Sequence, residues 1–477
     1  MIKKKLRAFL ALALSCSLLG GLSFPALAEY RESEQKHSAE IEPQHSVEDF
    51  IAGAREINRR ILILDTHVDI PPNFATQELD PGTRSDSLQV DLVKMREGGV
   101  DCVFFIGWAR QGPLTEEGYD QARKQVMHSF EAIRRLCEQM HPDRIELAGS
   151  SADATRIAGA GKLVAVIGLE NGYPIGGDLS WVKTCYDLGV RYITLCHVGH
   201  NQICDSANHP LKLRPENVAL DEPGEQLLRW IYGLNFLSPI PPEPKHEGLS
   251  EFGERLVAEM NRLGIVVDVS HLAASSVEDV LEVSRAPVIA SHSGCRALCD
   301  ITRNIDDEKL KAIKENGGCV QITAVPGFVK FPREQREAIL RLIEQLGVTE
   351  MGYAELFEMY NQNRAAYDEL MERSRTEFAK IFEQFPPPDV ADFVDHIDHA
   401  VKLIGIEHVG IGSDFGGGGG VQGFSNAAEA VNVTAELLRR GYSEEDIAKI
   451  WGGNLLRVWH AVEEVAEALQ APAEDPH

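Results

Sequence analysis

Eight short apolar runs punctuate this chain, and any fold it adopts must accommodate them. They are Ile61–Leu64, Val100–Ile106, Leu163–Leu169, Arg191–Cys196, Ile265–Ser270, Pro287–Ser291, Cys319–Val325 and Val409–Ser413. They are rich in Val and Ile, and most show no polar–apolar alternation, the pattern of strands covered on both faces. Amphipathic stretches lie between them. Ser275-x-x-Glu278 and Ser443-x-x-Asp446 have the form of capping boxes. Leu249–Leu263 carries apolar residues at spacings of three and four and stops at Gly264. Strands alternating with helices eight times predict an α/β chain folded as a (β/α)8 TIM-like barrel, typically ~250 residues long. A doubly wound open sheet would want a Gly-rich phosphate loop after an early strand, and Asp65-Thr66-His67 is nothing like one.

The 477 residues leave room for additions. Residues 198–248, with a proline cluster at Pro239–Pro244, read as a long loop. Residues 331–388 are charged and helical and close on Pro386-Pro387-Pro388. They predict a helical insertion between strands seven and eight, serving as a lid or a homodimer contact. Residues 51–470 are expected to form one catalytic barrel domain, insertion included. Residues 29–50, polar and without periodicity, read as a flexible lead-in. Residues 1–28 have the form of a cleavable signal peptide: Lys3, Lys4, Lys5 and Arg7, then an apolar stretch, then Ala26-Leu27-Ala28. The protein is therefore expected in the periplasm or secreted. No later segment approaches the roughly 18 apolar residues of a spanning helix, so no transmembrane segment is expected after signal removal.

Composition narrows the partners. With 47 Lys+Arg against 73 Asp+Glu, the net charge is −26. Nucleic-acid binding requires a basic excess to neutralise phosphates, so a nucleic-acid partner is not expected. Eight cysteines follow the leader: Cys102, Cys137, Cys185, Cys196, Cys204, Cys295, Cys299 and Cys319. Export would permit disulfides, but several of these lie within strand-like runs, and all are read as buried free thiols.

The ends of the strands carry the chemistry. The first runs into Asp65-Thr66-His67-Val68-Asp69; others end at Glu170, His197, His271, His292 and Asp414. In a barrel these positions open together on the C-terminal face. His67 and Asp69, two apart on an extended segment, share a face, as chelation requires. Singly, each has a plain structural reading, as a turn histidine, a salt-bridged carboxylate or a cap. Jointly they predict a metal site whose imidazole and carboxylate donors suit zinc. His128, His141, His396 and His399, on charged helical stretches, are expected to be solvated. His200 with Cys204, and Cys295 and Cys299 with His292, are weaker pairings that lack a full ligand set.

These blocks resemble the membrane dipeptidase (renal dipeptidase) family of metallopeptidases, within the amidohydrolase-like barrels. The resemblance spans roughly residues 60–330 and 390–460. It rests on Asp65 to Asp69, Gly168-Leu169-Glu170-Asn171-Gly172, Arg191 to His197, Gly248 to His271, Ser284 to Ser293, Arg303-Asn304 and Gly410 to Phe415. It implies two zinc ions per chain. His67, Asp69 and Glu170 would hold one; Glu170, His271 and His292 the other. His197 would polarise the scissile carbonyl, Arg303 would take the substrate's terminal carboxylate, and Asp414 would be the catalytic acid/base. The implied activity is hydrolysis of a dipeptide by a metal-bridging hydroxide, with tolerance of D-residues at the C-terminal position.

Three departures border these motifs. Val198-Gly199-His200 replaces Ser-Cys-Asn, Gly416 stands where the family has a second Asp, and Tyr173 replaces a common histidine. The chain also ends without the apolar tail of a lipid anchor. A binuclear amidohydrolase acting on a cyclic amide or lactone would keep the metals but have no use for Arg303. A non-catalytic metal- or solute-binding protein could dispense with Asp414.

Overall fold

The computed structural model describes residues 46–208, 220–349 and 351–471; the proposed signal peptide and most of the lead-in lie outside these, as does the C-terminal end. From Phe50 onward the chain forms one compact unit. Nine parallel strands build it: β1 Leu64–Asp69, β2 Cys102–Trp108, β3 Ile145–Leu147, β4 Leu163–Glu170, β5 Val190–Thr194, β6 Val266–Asp268, β7 Ile289–Ser293, β8 Cys319–Ile322 and β9 Val409–Ile411. The order is β1-β2-β4-β5-β6-β7-β8-β9, with β3 paired to the first residues of β4, Leu163 to Ala165. Leaving β3 aside, this is the eight-stranded barrel that the apolar runs predict. It closes through the segment just beyond β9: Asp414 N donates to the His67 carbonyl (3.0 Å) and Asp69 N to the Phe415 carbonyl (2.8 Å). Inside, Thr66 Oγ1 donates to the Ser291 carbonyl across the barrel (2.6 Å).

Four expectations are corrected. The first strand is not Ile61–Leu64 but Leu64–Asp69, so the Asp-Thr-His-Val-Asp motif is itself the strand. Its polar residues belong there because Asp65, Thr66 and His67 are buried with partners of their own. β3 is an addition too short to show a pattern. The region 198–248 contains a helix, Glu222–Phe236, capped by Asp221 with Pro223 in its first turn. Finally, Ser275 is not a cap: the helix Ala274–Val283 starts after Ala273 without a side-chain cap, and Glu278 pairs with Lys309. The other two signals hold, with Ser443 and Asp446 forming a reciprocal box and the helix Glu251–Leu263 ending at a left-handed Gly264.

The insertion between the seventh and eighth barrel strands is helical as predicted, comprising Arg333–Leu346, Tyr353–Gln362 and Arg364–Gln384. Its apolar side has a core of its own, where Ile339, Leu342, Leu356, Tyr367 and Phe378 meet Leu227 and Leu228 of the helix Glu222–Phe236. The eight cysteines among the described residues are free and buried. No helix among the described residues is long and apolar enough to cross a membrane.

Candidate metal centre and active site

The site gathers at the C-terminal ends of the strands. His67 and Asp69 come from β1, Glu170 from the last position of β4 and His292 from β7. His197, His271 and Asp414 each lie three residues beyond a strand end. His271 and Asp414 take left-handed backbone conformations, with φ of 69° and 61°. Such conformations are costly for residues other than glycine and collect at functional sites. Asp414 is also held by the closure bond from its own N–H, so it stands beside His67 by construction.

Glu170 is 3% exposed and lies between two sets of donors. Its Oε2 is 3.7 Å from His67 Nε2, and its Oε1 is 3.0, 3.3 and 3.6 Å from the Nε2 atoms of His271, His292 and His197. His67 Nε2 is also 3.6 Å from Asp69 Oδ2 and 4.0 Å from Asp414 Oδ1. Single donor atoms lie within 4.8 Å of one another in three triads: His67, Glu170 and His292; Glu170, His197 and His271; and His67, Asp69 and Asp414. The structure thus brings all five predicted ligands together with His197 and Asp414, and it sets the latter two within donor range as well.

The buried hydrogen bonds test whether these residues fit metal ions. Tyr192 Oη donates to the Thr66 carbonyl (3.2 Å) and so accepts from His67 Nδ1 (2.7 Å). Ser291 Oγ donates to Asp268 Oδ2 (2.6 Å) and so accepts from His292 Nδ1 (2.8 Å). With Nδ1 of each ring turned to a hydroxyl that can accept its proton, each Nε2 faces the cluster and is available to a cation. Metal-ligating histidines are oriented in this way. His67 Nε2 is buried without a hydrogen-bond partner, although three carboxylates surround it. Lone pairs and carboxylates converging in a buried space call for positive charge. Nitrogen and oxygen donors of this kind fit divalent cations such as zinc.

The electrostatics also call for positive charge at this point: burial opposes a charged His67, but Glu170 and Asp69 hold its proton affinity well above that of an ordinary histidine, so a bound cation would take the place of a proton at Nε2. Burial, reinforced by Asp69 and Glu170, pushes the Asp414 carboxyl well above the usual carboxylate range against the pull of His67 and Arg303. Glu170 goes the other way: burial opposes its charge, but His197, His67 and the bonds from His271 and His292 hold it well below that range. Burial, aided by Arg303 and neighbouring imidazoles, drives His271 and His292 well below an ordinary histidine.

Arg303 is 2% exposed. It does not pair with Asp306 or Asp307. It donates to Ser293 Oγ (2.9 Å) and the His292 carbonyl (2.7 Å), and its guanidinium stacks over Phe328 at 5.2 Å. Its Nε is buried without a partner, and burial lowers its pKa to about 10, which leaves it cationic at neutral pH. A cavity of about 950 Å³ opens beside the cluster, lined by Asp69, Glu170, His197, His271 and Asp414 among others. Arg303 is not on its wall but behind Phe328, which is.

Of the three departures, only the glycines reach the cavity. Gly416 and Gly417 line it, and a Cβ on Gly417 would strike the carboxylates of Asp69 and Asp414. Tyr173 is buried and donates to the Pro113 carbonyl (2.6 Å). His200 bonds Ser206 N and the Glu243 carbonyl. His396, expected to be solvated, is buried between Cys295 N and the Val329 carbonyl. His141 and His399 pair with Asp80 and Asp307. Sequence reasoning missed Tyr192, Asp268 and Ser291. Asp268 had left a trace, as an acidic residue inside the apolar run Ile265–Ser270.

A parallel barrel whose rim gathers imidazoles around a buried glutamate is the architecture of a metallohydrolase. The chain belongs to the membrane dipeptidase family (peptidase family M19), which it matches over residues 51–237 and 238–473. It is therefore a hydrolase of the metallo-dipeptidase type. It is 30% identical over 395 residues to dipeptidase aclJ of Aspergillus oryzae, covering 81% of this chain and 74% of that one. It is also 30% identical over 429 residues to mouse dipeptidase 3, covering 88% and 69%. Among solved structures, a probable dipeptidase, PvdM, from Pseudomonas aeruginosa superposes with a TM-score of 0.72 at 30% identity, covering 88% of this chain and all of that one.

The Asp268–Ser291–His292 chain generates a prediction. Ser291→Ala removes the acceptor that fixes the His292 tautomer without touching a metal donor. Partners of this kind are typically worth about 10–100-fold in metal affinity, and chelator competition on the variant should show a loss of that size. An affinity equal to wild type would mean that the hydroxyl orients nothing.

Proposed function

We propose that this chain is a zinc-dependent dipeptidase with two ions per chain. His67, Asp69 and Glu170 would hold one ion; Glu170, His271 and His292 would hold the other. The observation that carries this reading is the placement of Glu170, with one carboxylate oxygen facing His67 and the other facing His271 and His292. Ions bound there would supply an attacking hydroxide shared between them, at a pH where free water is not ionised, together with Lewis-acid polarisation of the substrate.

The remaining steps belong to the chain's own residues. His197, between the cluster and the cavity, would donate to the oxygen of the scissile carbonyl as it gains charge. Asp414 would accept the nucleophile's proton and return it to the leaving amine. Burial beside other carboxylates raises its affinity for a proton, which suits that role. Arg303 would bind the terminal carboxylate through the donors that Ser293 and His292 leave free, with Phe328 turning aside to admit it. Tolerance of D-residues at the C-terminal position is part of the proposal, since the cavity far exceeds a dipeptide's backbone. We further propose that residues 1–28 direct export and are removed, and that residues 51–470 act as one catalytic unit, with a homodimer as its assembly.

A panel of dipeptides with L- and D-residues at each position tests the activity; hydrolysis of none of them would sink it. Two variants test the roles. Asp414→Asn should retain its metal and lose about 10²–10⁴-fold in kcat, the usual worth of such proton transfer. Near-wild-type turnover would remove Asp414 from the mechanism. Wild type should also favour a dipeptide over its C-terminal amide by roughly 10²-fold or more in kcat/KM, as expected for a charge-assisted contact in a dry pocket. Arg303→Ala should abolish that preference. Equal cleavage of both substrates by wild type would contradict the carboxylate role.

A further inference from the structure

We infer that the helical insertion sets the width of the substrate cavity from a distance, with Tyr367 and Asp221 as its positioning residues. This rests on the dipeptidase reading above. The cavity wall near His197 includes Gly233, Phe236 and Leu237. These belong to the helix Glu222–Phe236 and the residue after it, which lie in the long connection after β5 rather than at a strand end. Phe236 stands edge-on to His197, with ring centroids 6.3 Å apart. Leu237 lies over Gly327, where a Cβ would come within 2.8 Å of its side chain. The last turn of this helix therefore decides how much room a substrate side chain finds beside His197.

The first turn of the same helix is held by the insertion. Asp221 caps it by accepting from Gly224 N (3.2 Å), and the same Oδ1 accepts from the Tyr367 hydroxyl. Arg364 approaches the other oxygen at 3.5 Å and stacks on Tyr360 and Tyr367, at 4.4 and 5.4 Å. Tyr367 is fully buried. A Cβ on Gly224 would run into its hydroxyl, so a glycine permits this approach. Leu227 and Leu228 then seat the next turn in the insertion's core. A helix of 15 residues is a stiff rod of about 22 Å, so fixing its start fixes its end. Phe331, at the entry to the insertion, packs against both the insertion's core and the cluster containing Phe236 and Leu237. The insertion thus holds the rod's start and, through Phe331, packs against the same Cys299–Ile301–Phe328 cluster that seats the rod's end, while contributing nothing to the metal cluster.

The test compares wild type, Tyr367→Phe and Phe236→Ala on two matched dipeptides, one with a small and one with a bulky apolar side chain at the position wild type discriminates most. Tyr367→Phe should shift the bulky-to-small ratio of kcat/KM by about 5–10-fold. The shift should come from KM, with kcat and metal content retained. Phe236→Ala, which alters the wall directly, should shift the ratio in the same direction. In hydrogen exchange, Tyr367→Phe should lose protection over residues 222–237 and not in the barrel strands. An unchanged ratio in Tyr367→Phe, an equal loss on both substrates, or unchanged exchange over 222–237 would each overturn the inference. If wild type hydrolyses no dipeptide, the functional reading fails, and the exchange measurement still decides whether the insertion holds this helix.

Discussion

The barrel closes at its own active site. β1 and the segment just beyond β9 are joined by the bonds from Asp414 N to the His67 carbonyl and from Asp69 N to the Phe415 carbonyl. His67 and Asp69, both proposed as metal ligands, are thus tied to the residue proposed for proton transfer and to its neighbour. Asp65 strengthens the seam, its Oδ1 accepting from both His67 N (3.2 Å) and Ser413 N (2.9 Å). Each such bond is worth only about 1 kcal/mol net, but a buried donor left unpaired costs about 1–3 kcal/mol. Closing the sheet and aligning the site are therefore satisfied by one arrangement, which also explains the left-handed backbone at Asp414.

That arrangement accumulates charge. His67 Nε2 has the carboxylates of Asp69, Glu170 and Asp414 around it, and Glu170 reaches across to three further imidazoles. Arg303 adds a fixed cation behind Phe328, close enough to depress His271 and His292. Tyr192 and Ser291 engage the far nitrogens of His67 and His292, so their near nitrogens face inward, where a cation can take them. A buried set of carboxylates and imidazole nitrogens held in fixed orientations is built for cations.

Much of this was legible in the sequence, for a geometric reason. A parallel barrel delivers every strand's C-terminal end to one rim, so His67, Glu170, His292 and their companions could be collected without knowing any distance. The supporting shell could not be collected in this way. Tyr192 and Ser291 are ordinary strand residues until their partners are known, and Asp268 registers only as an acid where an apolar residue is expected. The start of β1 was misplaced because the apolar run Ile61–Leu64 is the approach to the strand, while the strand itself buries polar groups against one another. The helix Glu222–Phe236 was hidden by prolines on either side, although Asp221 and Pro223 are a start signal. Its importance to the cavity depends on the insertion beneath it, a contact between segments more than a hundred residues apart.

The central claim is that Glu170 joins two cation sites. Elemental analysis of the protein purified without chelator tests it most directly. The account predicts close to two zinc ions per chain. A reproducible stoichiometry of one in fully active protein would contradict it.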